Sequence, residues 1–274
     1  MADSNPAVNK RLSPGRKKPK NKPDSAKTMR NIARSANGPA LVRRYNESIM
    51  GILYVVATPI GNLEDISLRA TKILLNTQII ACEDTRHTGN LIKLLGNTQP
   101  KKYISIRDFN EAQVIDKILL ELESNDVALV SDAGTPLISD PGFKLVRAAK
   151  KVVPIPGPCA AITALSASGL PTNKFLFLGF LPKKWEILTE ITTIIYESPM
   201  RIEKTVSEIK SRYPDAQIVL AHELTKIHEK IWDLGFGDWT LQIPHKGEFV
   251  ILIYRPKDSG QSYLSENLSA KSIK

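Results

Sequence analysis

The sequence predicts an α/β protein of two domains, the first of which is built on a mainly parallel sheet. Short apolar runs alternate with helical patterns between residues 50 and 155, and strand, helix and strand at this spacing form right-handed parallel crossovers. The runs are apolar at consecutive positions, which is typical of strands that helices cover on both faces. A second, smaller α/β layer is predicted after them.

The first domain is predicted over residues 50–170. Its opening strand is Gly51–Ala57, a run of apolar and β-branched residues that leads into a Thr-Pro-Ile-Gly turn. Comparable runs predict four further strands, and the patterns between them predict helices. The strands are Ile79–Cys82, Tyr103–Ile106, Val127–Val130 and Val152–Ile155, and the helices are Ser67–Leu75, Glu111–Leu122 and Pro141–Ala149.

The second domain is predicted over residues 171–256, after a turn-rich hinge at Ser168–Asn173. It is expected to contain four strands and one helix. The strands are Phe175–Phe180, Thr192–Tyr196, Gln217–Ala221 and Glu248–Tyr254, and the helix is Arg201–Ser211. Residues 257–274 are expected to form a polar tail.

Most of the net charge of +10 lies in residues 1–49, which carry 12 Lys and Arg against 3 Asp and Glu. A basic, proline-interrupted stretch buries too little apolar surface to order itself, so a disordered tail is expected. An accessory contact to nucleic-acid phosphates is the alternative. A mitochondrial transit peptide is disfavoured because four prolines prevent a long amphipathic helix, namely Pro6, Pro14, Pro19 and Pro23.

The cysteines, the histidines and the apolar runs together indicate a cytoplasmic protein without a metal. Cys82 and Cys159 belong to no Cys-x-x-Cys pair, so neither a disulfide framework nor a zinc site is expected. His222 and His228 stand six residues apart, whereas zinc-binding helices place two histidines four apart. No apolar run approaches the roughly 20 residues that a membrane helix needs.

Turns rich in Gly and Pro follow several of the predicted strands. Because ligands bind outside the carboxyl ends of parallel strands, these turns predict a pocket that main chain lines. Neither G-x-G-x-x-G nor a P-loop sequence is present, so a nucleoside without a polyphosphate stays open as the ligand. Gly and Pro also punctuate ordinary turns, which is the alternative for any single loop. The turns are Thr58–Asn62, Glu83–Arg86, Ser131–Pro136 and Pro156–Pro158.

Taken in order, seven stretches of the chain resemble the ribosomal RNA small subunit methyltransferase I family, a branch of the tetrapyrrole methylase superfamily. The resemblance spans about residues 50–255, and VSDAGTPLISDPG is its most specific stretch. The stretches are YVVATPIGN (54–62), CEDTR (82–86), VSDAGTPLISDPG (130–142), PIPGPCA (154–160), YESP (196–199), ELTK (223–226) and KGEFV (246–250).

The resemblance implies a tetrapyrrole-methylase-like fold with a mixed second sheet and S-adenosylmethionine in the cleft between the two domains. It also implies a homodimer that 2′-O-methylates a cytidine in the decoding region of 16S rRNA, in the small ribosomal subunit. The cofactor contacts it implies are Pro59, Ser131, Asp132, Ala133, Gly134, Thr135, Leu137, Ile138, Cys159 and Ala160, with Tyr196 and Glu197 from the second domain.

The catalytic residues are expected among the carboxylates of these motifs. A ribose hydroxyl is a poor nucleophile at neutral pH, so a base or acceptor close to it should assist methyl transfer. The candidates for that role are Asp84, Glu83 and Glu223, although each carboxylate can equally cap a helix or form a structural ion pair. Arg86 and Lys226 are the candidates to hold an RNA phosphate.

The sequence departs from the family's usual pattern in two residues and two connections. Cys159 stands where the family usually has Ser, and Met200 where it usually has His. The connections at 150–151 and 183–193 are shorter than is usual. Two other functions stay open, namely a superfamily methyltransferase that acts on a tetrapyrrole or another substrate, and a non-catalytic RNA-binding protein.

Overall fold

The computed structural model describes residues 50–107, 109–235 and 243–257. The predicted basic tail, residues 1–49, and nearly all of the predicted polar tail lie outside the described residues. Within the described ranges, no helix is long and apolar enough to cross a membrane.

The first sheet consists of five parallel strands, as the continuous apolar runs predict. Its order is β3-β2-β4-β1-β5, so β1 lies inside the sheet and β3 at one edge. The predicted strand positions are confirmed to within two residues. The strands are β1 (Leu53–Val56), β2 (Ile79–Cys82), β3 (Lys102–Ser105), β4 (Val127–Leu129) and β5 (Val152–Ile155).

Alternate residues of β2 show why this sheet has an apolar core on each face. Ile79 and Ala81 belong to one buried cluster, and Ile80 and Cys82 belong to another. Successive side chains of a strand point to opposite faces, so β2 contributes to both clusters. The prediction that helices cover both faces is confirmed.

In the described part of the chain, five α-helices accompany the first sheet, and two of them were not predicted. Ser67 caps the first helix by accepting the N–H of Ala70, and Asp84 caps the second through the N–H groups of Arg86 and His87. A short 3-10 helix precedes the first. The helices are α1 (Leu68–Asn76), α2 (Thr85–Leu94), α3 (Glu111–Glu121), α4 (Phe143–Ala148) and α5 (Ala160–Ala167), of which α2 and α5 are the additions.

The second sheet is mixed and has the strand order β6-β7-β10-β8-β9. Its first pair, β6 and β7, is parallel, and the other pairs are antiparallel. The helix α6 (Ile202–Arg212) packs on it, and the edge strand β9 was not predicted. The strands are β6 (Phe175–Phe180), β7 (Thr192–Glu197), β8 (Gln217–His222), β9 (Lys230–Gly235) and β10 (Phe249–Tyr254).

The helix α5, which follows β5 of the first sheet, packs on the second sheet through an apolar cluster. Ala161 and Leu165 of this helix are buried together with Ile194 of β7 and Val250 of β10. Ile60, which follows β1, belongs to the same cluster. The cluster therefore joins α5 and the turn after β1 to one face of the second sheet. The division into two domains near residue 170 stays a prediction.

Candidate active site

A cavity of about 430 Å³ lies at the carboxyl edge of the first sheet, against β6, β7 and β10 of the second. This volume is within the range of sites that hold small molecules and cofactors. Turns after β1, β4 and β5 form one side of it. The lining residues are Ile60, Asp132, Ala133, Gly134, Thr135, Ile138, Ser139, Asp140, Cys159, Ala160, Phe180, Tyr196, Glu197, Ser198, Pro199, Gly247, Glu248, Phe249 and Val250.

Hydrogen bonds join the three turns into one rigid wall. Thr58 and Gly134 exchange backbone N–H···O bonds of 2.9 and 3.2 Å. The Thr135 hydroxyl donates to the Pro158 carbonyl at 2.8 Å, which links the turn after β4 to the turn after β5. Gly134 has a φ of +81°, and a Cβ on it would lie 3.1 Å from the Ile60 side chain. Glycine is required here because the backbone is left-handed and its surroundings are crowded.

The loop that follows Thr135 holds two non-glycine residues in the left-handed region. Leu137 has a φ of 73° and Ser139 a φ of 70°. Such residues cost of order 1–3 kcal/mol each and persist where the surrounding structure fixes them. Leu137 packs against the core of the first sheet, while Ser139 lines the cavity. The loop therefore presents its residues to the cavity in a fixed conformation.

Tyr196 connects the second sheet to the start of α5. Its hydroxyl oxygen accepts the backbone N–H of Ala161 at 3.2 Å, and its ring packs edge-on against Phe177 at 5.0 Å between centroids. Burial, followed by the nearby Cys159 thiol, raises the pKa of Tyr196 well above its usual value. The hydroxyl is therefore neutral at physiological pH and acts as an acceptor in the cavity wall.

Glu197 lines the cavity, but its carboxylate serves the first turn of α6. One oxygen accepts the Ser198 N–H at 2.7 Å and the Arg201 Nε–H at 2.9 Å. The other accepts the Thr205 hydroxyl at 2.7 Å. Glu197 is 4% exposed, so these partners offset the cost of burying its charge. Its structural role is to fix the strand–helix turn that carries the YESP residues.

Nine of the twelve predicted cofactor contacts line this one cavity. They are Asp132, Ala133, Gly134, Thr135, Ile138, Cys159, Ala160, Tyr196 and Glu197. Pro59, Ser131 and Leu137 lie beside it rather than in its lining. The Ser131 hydroxyl donates to the Ala133 carbonyl at 3.3 Å and thereby shapes the turn from behind.

Ten lining residues were not among the predicted contacts. Two motifs of the sequence contained most of them, since Ser198 and Pro199 belong to YESP and Gly247–Val250 belong to KGEFV. Ser139 and Asp140 belong to the long specific stretch, and Ile60 to the first. Phe180 belongs to no motif, because its place in the cavity depends on how β6 pairs with β7.

Asp84 and Glu83 adjoin the cavity without lining it. Oδ1 of Asp84 accepts the N–H of Arg86 at 2.8 Å, and this hydrogen bond holds the pKa of Asp84 below its usual value. The backbone N–H of Asp84 donates to Oδ1 of Asp132, a lining residue, at 3.0 Å. The Glu83 carbonyl accepts the Ser105 hydroxyl at 3.1 Å. Asp84 thus caps α2 and lies one hydrogen bond away from the cavity wall.

Glu223 and Lys226 lie at the rim that Glu248 contributes. The Lys226 ammonium donates to Glu223 at 2.8 Å and to Glu248 at 2.9 Å. The contact with Lys226 lowers the pKa of Glu223, whose Oε1 also accepts the Glu248 N–H at 3.0 Å. Thr225, in the same turn, accepts the Asn62 N–H at 3.1 Å and so ties this turn to the loop after β1.

His222 and His228 do not share a helical face in the structure. His222 ends β8, where it is buried and stacks on Phe249 at 4.5 Å between ring centroids, and His228 lies in the turn that follows. In the described part of the chain, no group of three His, Cys, Asp or Glu side chains is arranged to hold a metal ion.

The lining of the cavity is acidic and carries no basic side chain. Four lining residues are carboxylates, and none is Lys or Arg: Asp132, Asp140, Glu197 and Glu248. Because Arg201 pairs with Glu197 and Lys226 pairs with Glu248, the lack of lining Lys and Arg, more than the number of carboxylates, disfavours nucleotides with polyphosphates here. S-adenosylmethionine has a sulfonium and an ammonium and no phosphate, so the residues present fit this donor.

Comparison with known proteins identifies the family. The sequence profile of the Tetrapyrrole (Corrin/Porphyrin) Methylases matches residues 52–238. The chain belongs to the tetrapyrrole methylase family. S-adenosylmethionine is the methyl donor of this family, and this methylase is accordingly a methyltransferase that uses it.

Two curated relatives illustrate the similarity in sequence. A Vibrio cholerae protein named Ribosomal RNA small subunit methyltransferase I is 45% identical over 238 residues, which cover 78% of this methylase and 81% of the relative. A Hydrogenobaculum protein of the same name is 51% identical over 218 residues, which cover 73% of this methylase and 94% of the relative. The predicted membership of that branch is therefore confirmed.

Solved structures of more distant proteins share the fold. Uroporphyrin-III-C-methyltransferase from Thermus thermophilus superposes with a TM-score of 0.53 at 19% identity, covering 74% of this methylase and 94% of that chain. Cobalamin biosynthesis precorrin-6Y methylase from Archaeoglobus fulgidus gives a TM-score of 0.52 at 15% identity, with 74% and 97% covered. The predicted fold class is confirmed.

Proposed function

We propose that this methylase transfers the methyl group of S-adenosylmethionine to the 2′-hydroxyl of a cytidine in the decoding region of 16S rRNA. Relatives at 45% and 51% identity carry the name ribosomal RNA small subunit methyltransferase I, and the aligned parts extend over most of each protein. The observation that carries the donor half of the proposal is the acidic cavity without a basic lining residue. Cytoplasmic localisation, where ribosomes are assembled, is part of the proposal.

The donor is proposed to occupy the cavity, with all twelve predicted contacts around it. The turn Ser131–Thr135 offers backbone groups, and Gly134 allows close approach of a nucleoside. Pro59, Ser131 and Leu137 act by holding the shape of the wall. Since hydrogen bonds fix the turns before the donor arrives, little ordering entropy is lost on binding.

Asp84 is the strongest candidate to accept the proton of the ribose hydroxyl. Its lowered pKa keeps it ionised at neutral pH, and its hydrogen bond to Asp132 brings it beside the cavity. Both carboxylates already have partners, since Asp84 accepts the Arg86 and His87 N–H groups and Glu223 accepts Lys226 and the Glu248 N–H, so Glu223 is the second candidate. Glu83 is the third candidate. When bound, S-adenosylmethionine would supply the methyl group to the hydroxyl oxygen and leave as S-adenosylhomocysteine, and the role of the base would be to accept the proton of that hydroxyl.

Arg86 and Lys226 are proposed to hold phosphates of the RNA. The Arg86 side chain is 90% exposed and its ion pair with Asp84 is 3.5 Å long, so a phosphate can displace that partner at little cost. Lys226 lies between two carboxylates, so a phosphate there would have to replace one of them. Arg86 is therefore the more accessible contact.

The test is methyl transfer from labelled S-adenosylmethionine to small ribosomal subunits that lack this modification. Nuclease digestion and mass spectrometry should find the label on the ribose of one cytidine. Label on a base, or in no rRNA, would refute the acceptor. A tetrapyrrole assayed in parallel distinguishes the superfamily alternative, and absence of donor binding in calorimetry would favour the non-catalytic RNA-binding protein.

Two substitutions at Asp84 separate the cap from the base. Asparagine is as good a helix cap as aspartate, so Asp84→Asn should preserve stability while lowering kcat by about 100-fold or more. Asp84→Ala removes both functions. If Asp84→Asn keeps full activity, the base is another group, and Glu83→Gln and Glu223→Gln become the next variants.

A homodimer is proposed from the resemblance to the family. Analytical ultracentrifugation of the full chain tests it directly, and sedimentation as a monomer over the concentrations used for activity would refute it.

A further inference from the structure

We infer that a groove along α2, outside the donor cavity, binds a single-stranded segment of the RNA substrate. This inference rests on the proposed function and adds to it the surface that holds the RNA. The groove has a volume of about 650 Å³ and lies between α2 and the segment that leads into β3. Since β3 is an edge strand of the first sheet, this side of the sheet is open to a partner.

The chemistry of the groove is opposite to that of the donor cavity. Arg86, Lys93 and Lys101 line it, and none of its lining residues, all within the described ranges, is Asp or Glu. Side-chain amides lie between these cations, among them Asn90 and Gln99. Cations bind phosphates, and amides hydrogen-bond to base edges and sugars, so this combination suits a nucleic acid.

The three cations differ in how freely their side chains can contact a phosphate. The Lys101 ammonium donates to the Leu75 and Thr77 carbonyls at 2.9 and 2.8 Å, so it stiffens the wall. It can attract a phosphate only through its electrostatic field. Lys93 is exposed in the last turn of α2, and within the described residues no ion pair holds it. Among the described residues, the Arg86 guanidinium forms an ion pair with Asp84 alone, at 3.5 Å, and the Arg86 side chain is exposed. Lys93 and Arg86 are therefore the side chains that can contact phosphates.

One hydrogen bond connects the start of α2, which borders the groove, to the wall of the cavity proposed for the donor. Asp84, which caps α2, donates its N–H to the cavity residue Asp132, and Arg86 lies two residues further along the chain. Seven residues of helix separate Arg86 from Lys93, which corresponds to about 10 Å. RNA bound along α2 would thus lead from the groove toward the methyl donor.

The aromatic ring of Tyr103 in the wall of the groove favours single-stranded RNA over duplex RNA. Tyr103 is half-buried at the start of β3 and lines the groove. An aromatic ring beside cations lets an unpaired base stack while its phosphate is held, and a duplex offers no such base. The expected ligand is therefore an unpaired stretch next to the modified nucleotide.

The experiment compares Lys93→Gln with Lys117→Gln in the full chain. Lys117 is exposed on α3, outside the groove, and provides the same loss of charge. Fluorescence anisotropy with a short single-stranded oligoribonucleotide, at several salt concentrations, should show weaker binding for Lys93→Gln and a salt slope that is smaller by about 0.7. Lys117→Gln should match the wild type, and a duplex of the same sequence should bind less tightly.

Equal affinity and equal salt slope for Lys93→Gln and wild type would overturn the inference. So would a change in sedimentation of Lys93→Gln without a change in RNA affinity, because the groove would then contact a second copy of the chain. Asn90→Asp is a second variant, and the negative charge it places in the groove should weaken binding further. Thermal unfolding and calorimetry with S-adenosylmethionine check that the variants fold and bind the donor normally.

Turnover separates this inference from the proposed function. If wild type methylates small subunits, Lys93→Gln should raise KM for the subunit and leave kcat unchanged, and an unchanged KM would refute the groove. If wild type methylates no rRNA while Lys93→Gln still weakens binding to the oligoribonucleotide, the proposed function fails and the groove stands.

Discussion

The hydroxyl oxygen of Tyr196 accepts the backbone N–H of Ala161 at 3.2 Å. This bond connects β7 of the second sheet to the first turn of α5, which follows β5 of the first sheet. The first N–H groups of a helix have no partner within the helix, so the phenol satisfies a donor that would otherwise be unpaired. One hydrogen bond thus joins the two walls of the cavity that is proposed to hold the donor.

Tyr196→Phe should lower the free energy of unfolding by about 1 kcal/mol and weaken S-adenosylmethionine binding, because it leaves the Ala161 N–H unpaired. Urea unfolding and calorimetry measure the two effects. Tyr213→Phe is the matched control, since the Tyr213 hydroxyl accepts the Ile187 N–H at 3.3 Å away from the cavity. The control should lose stability and keep its donor affinity. Equal affinities in the two variants would contradict the linking role of Tyr196.

Gly134→Ala should weaken both the fold and donor binding. A left-handed alanine costs about 1–2 kcal/mol, and its Cβ would crowd Ile60 at the cavity wall. Gly169→Ala isolates the backbone cost, because Gly169 has a φ of +72° and open space around its missing Cβ. Thermal unfolding should report a loss in both variants, whereas calorimetry should report weaker S-adenosylmethionine binding in Gly134→Ala alone. Unchanged donor affinity in Gly134→Ala would remove this turn from the site.

Bound S-adenosylhomocysteine should protect Cys159 from alkylation, because Cys159 lines the cavity. Cys82 provides an internal control, since it is fully buried and burial raises the pKa of its thiol to about 11. Iodoacetamide labelling followed by peptide mass spectrometry should find Cys159 modified first, and more slowly when the product is present. Labelling at the same rate with and without the product would argue against occupancy of this cavity.

Acid should destabilise the methylase partly through Glu223. The Lys226 contact lowers the pKa of Glu223 in the folded state. Its contribution is therefore present above the unfolded value of about 4.3 and is lost as pH falls through the lowered value. Glu223→Gln should be less stable at neutral pH and should lose less stability on acidification than the wild type, as measured by urea unfolding. Lys226→Gln removes the same contact, and an acid profile identical to that of the wild type in both variants would contradict this origin.

Continuous apolar runs made the inner strands of the first sheet predictable, because burial on both faces leaves few polar positions in β2 and β4. The missed elements lack that signal. The strand β9 mixes two charged residues with apolar ones at an exposed edge and follows no period of two. The helix α5 is composed mainly of small apolar residues, so it shows no polar face that marks a helix. The helix α2 was missed because residues 83–86 were interpreted as a turn. Asp84 before Thr85 is nevertheless a usual signal for the start of a helix.

The first-sheet half of the cavity was predictable, and much of the other half was not. Turns at the carboxyl ends of parallel strands lie at the same edge of the sheet by topology alone. The sequence therefore predicted that the turns of Gly134 and Cys159 lie close together in the fold. The place of Phe180 depends on pairing between strands that the chain does not connect directly, and no local pattern records it. The resemblance to a known family supplied Tyr196 and Glu197.

The last described strand of the second sheet, β10, is also its middle strand, because it lies between β7 and β8. A ribosome translating this chain must therefore synthesise residues 249–254 before that sheet can close. Gly247 and Glu248, which line the cavity, emerge just ahead of them. A nascent polypeptide thus acquires the complete lining of the cavity only after residue 250 has been synthesised, and a stop before this point would remove the middle strand of the second sheet together with part of the cavity wall.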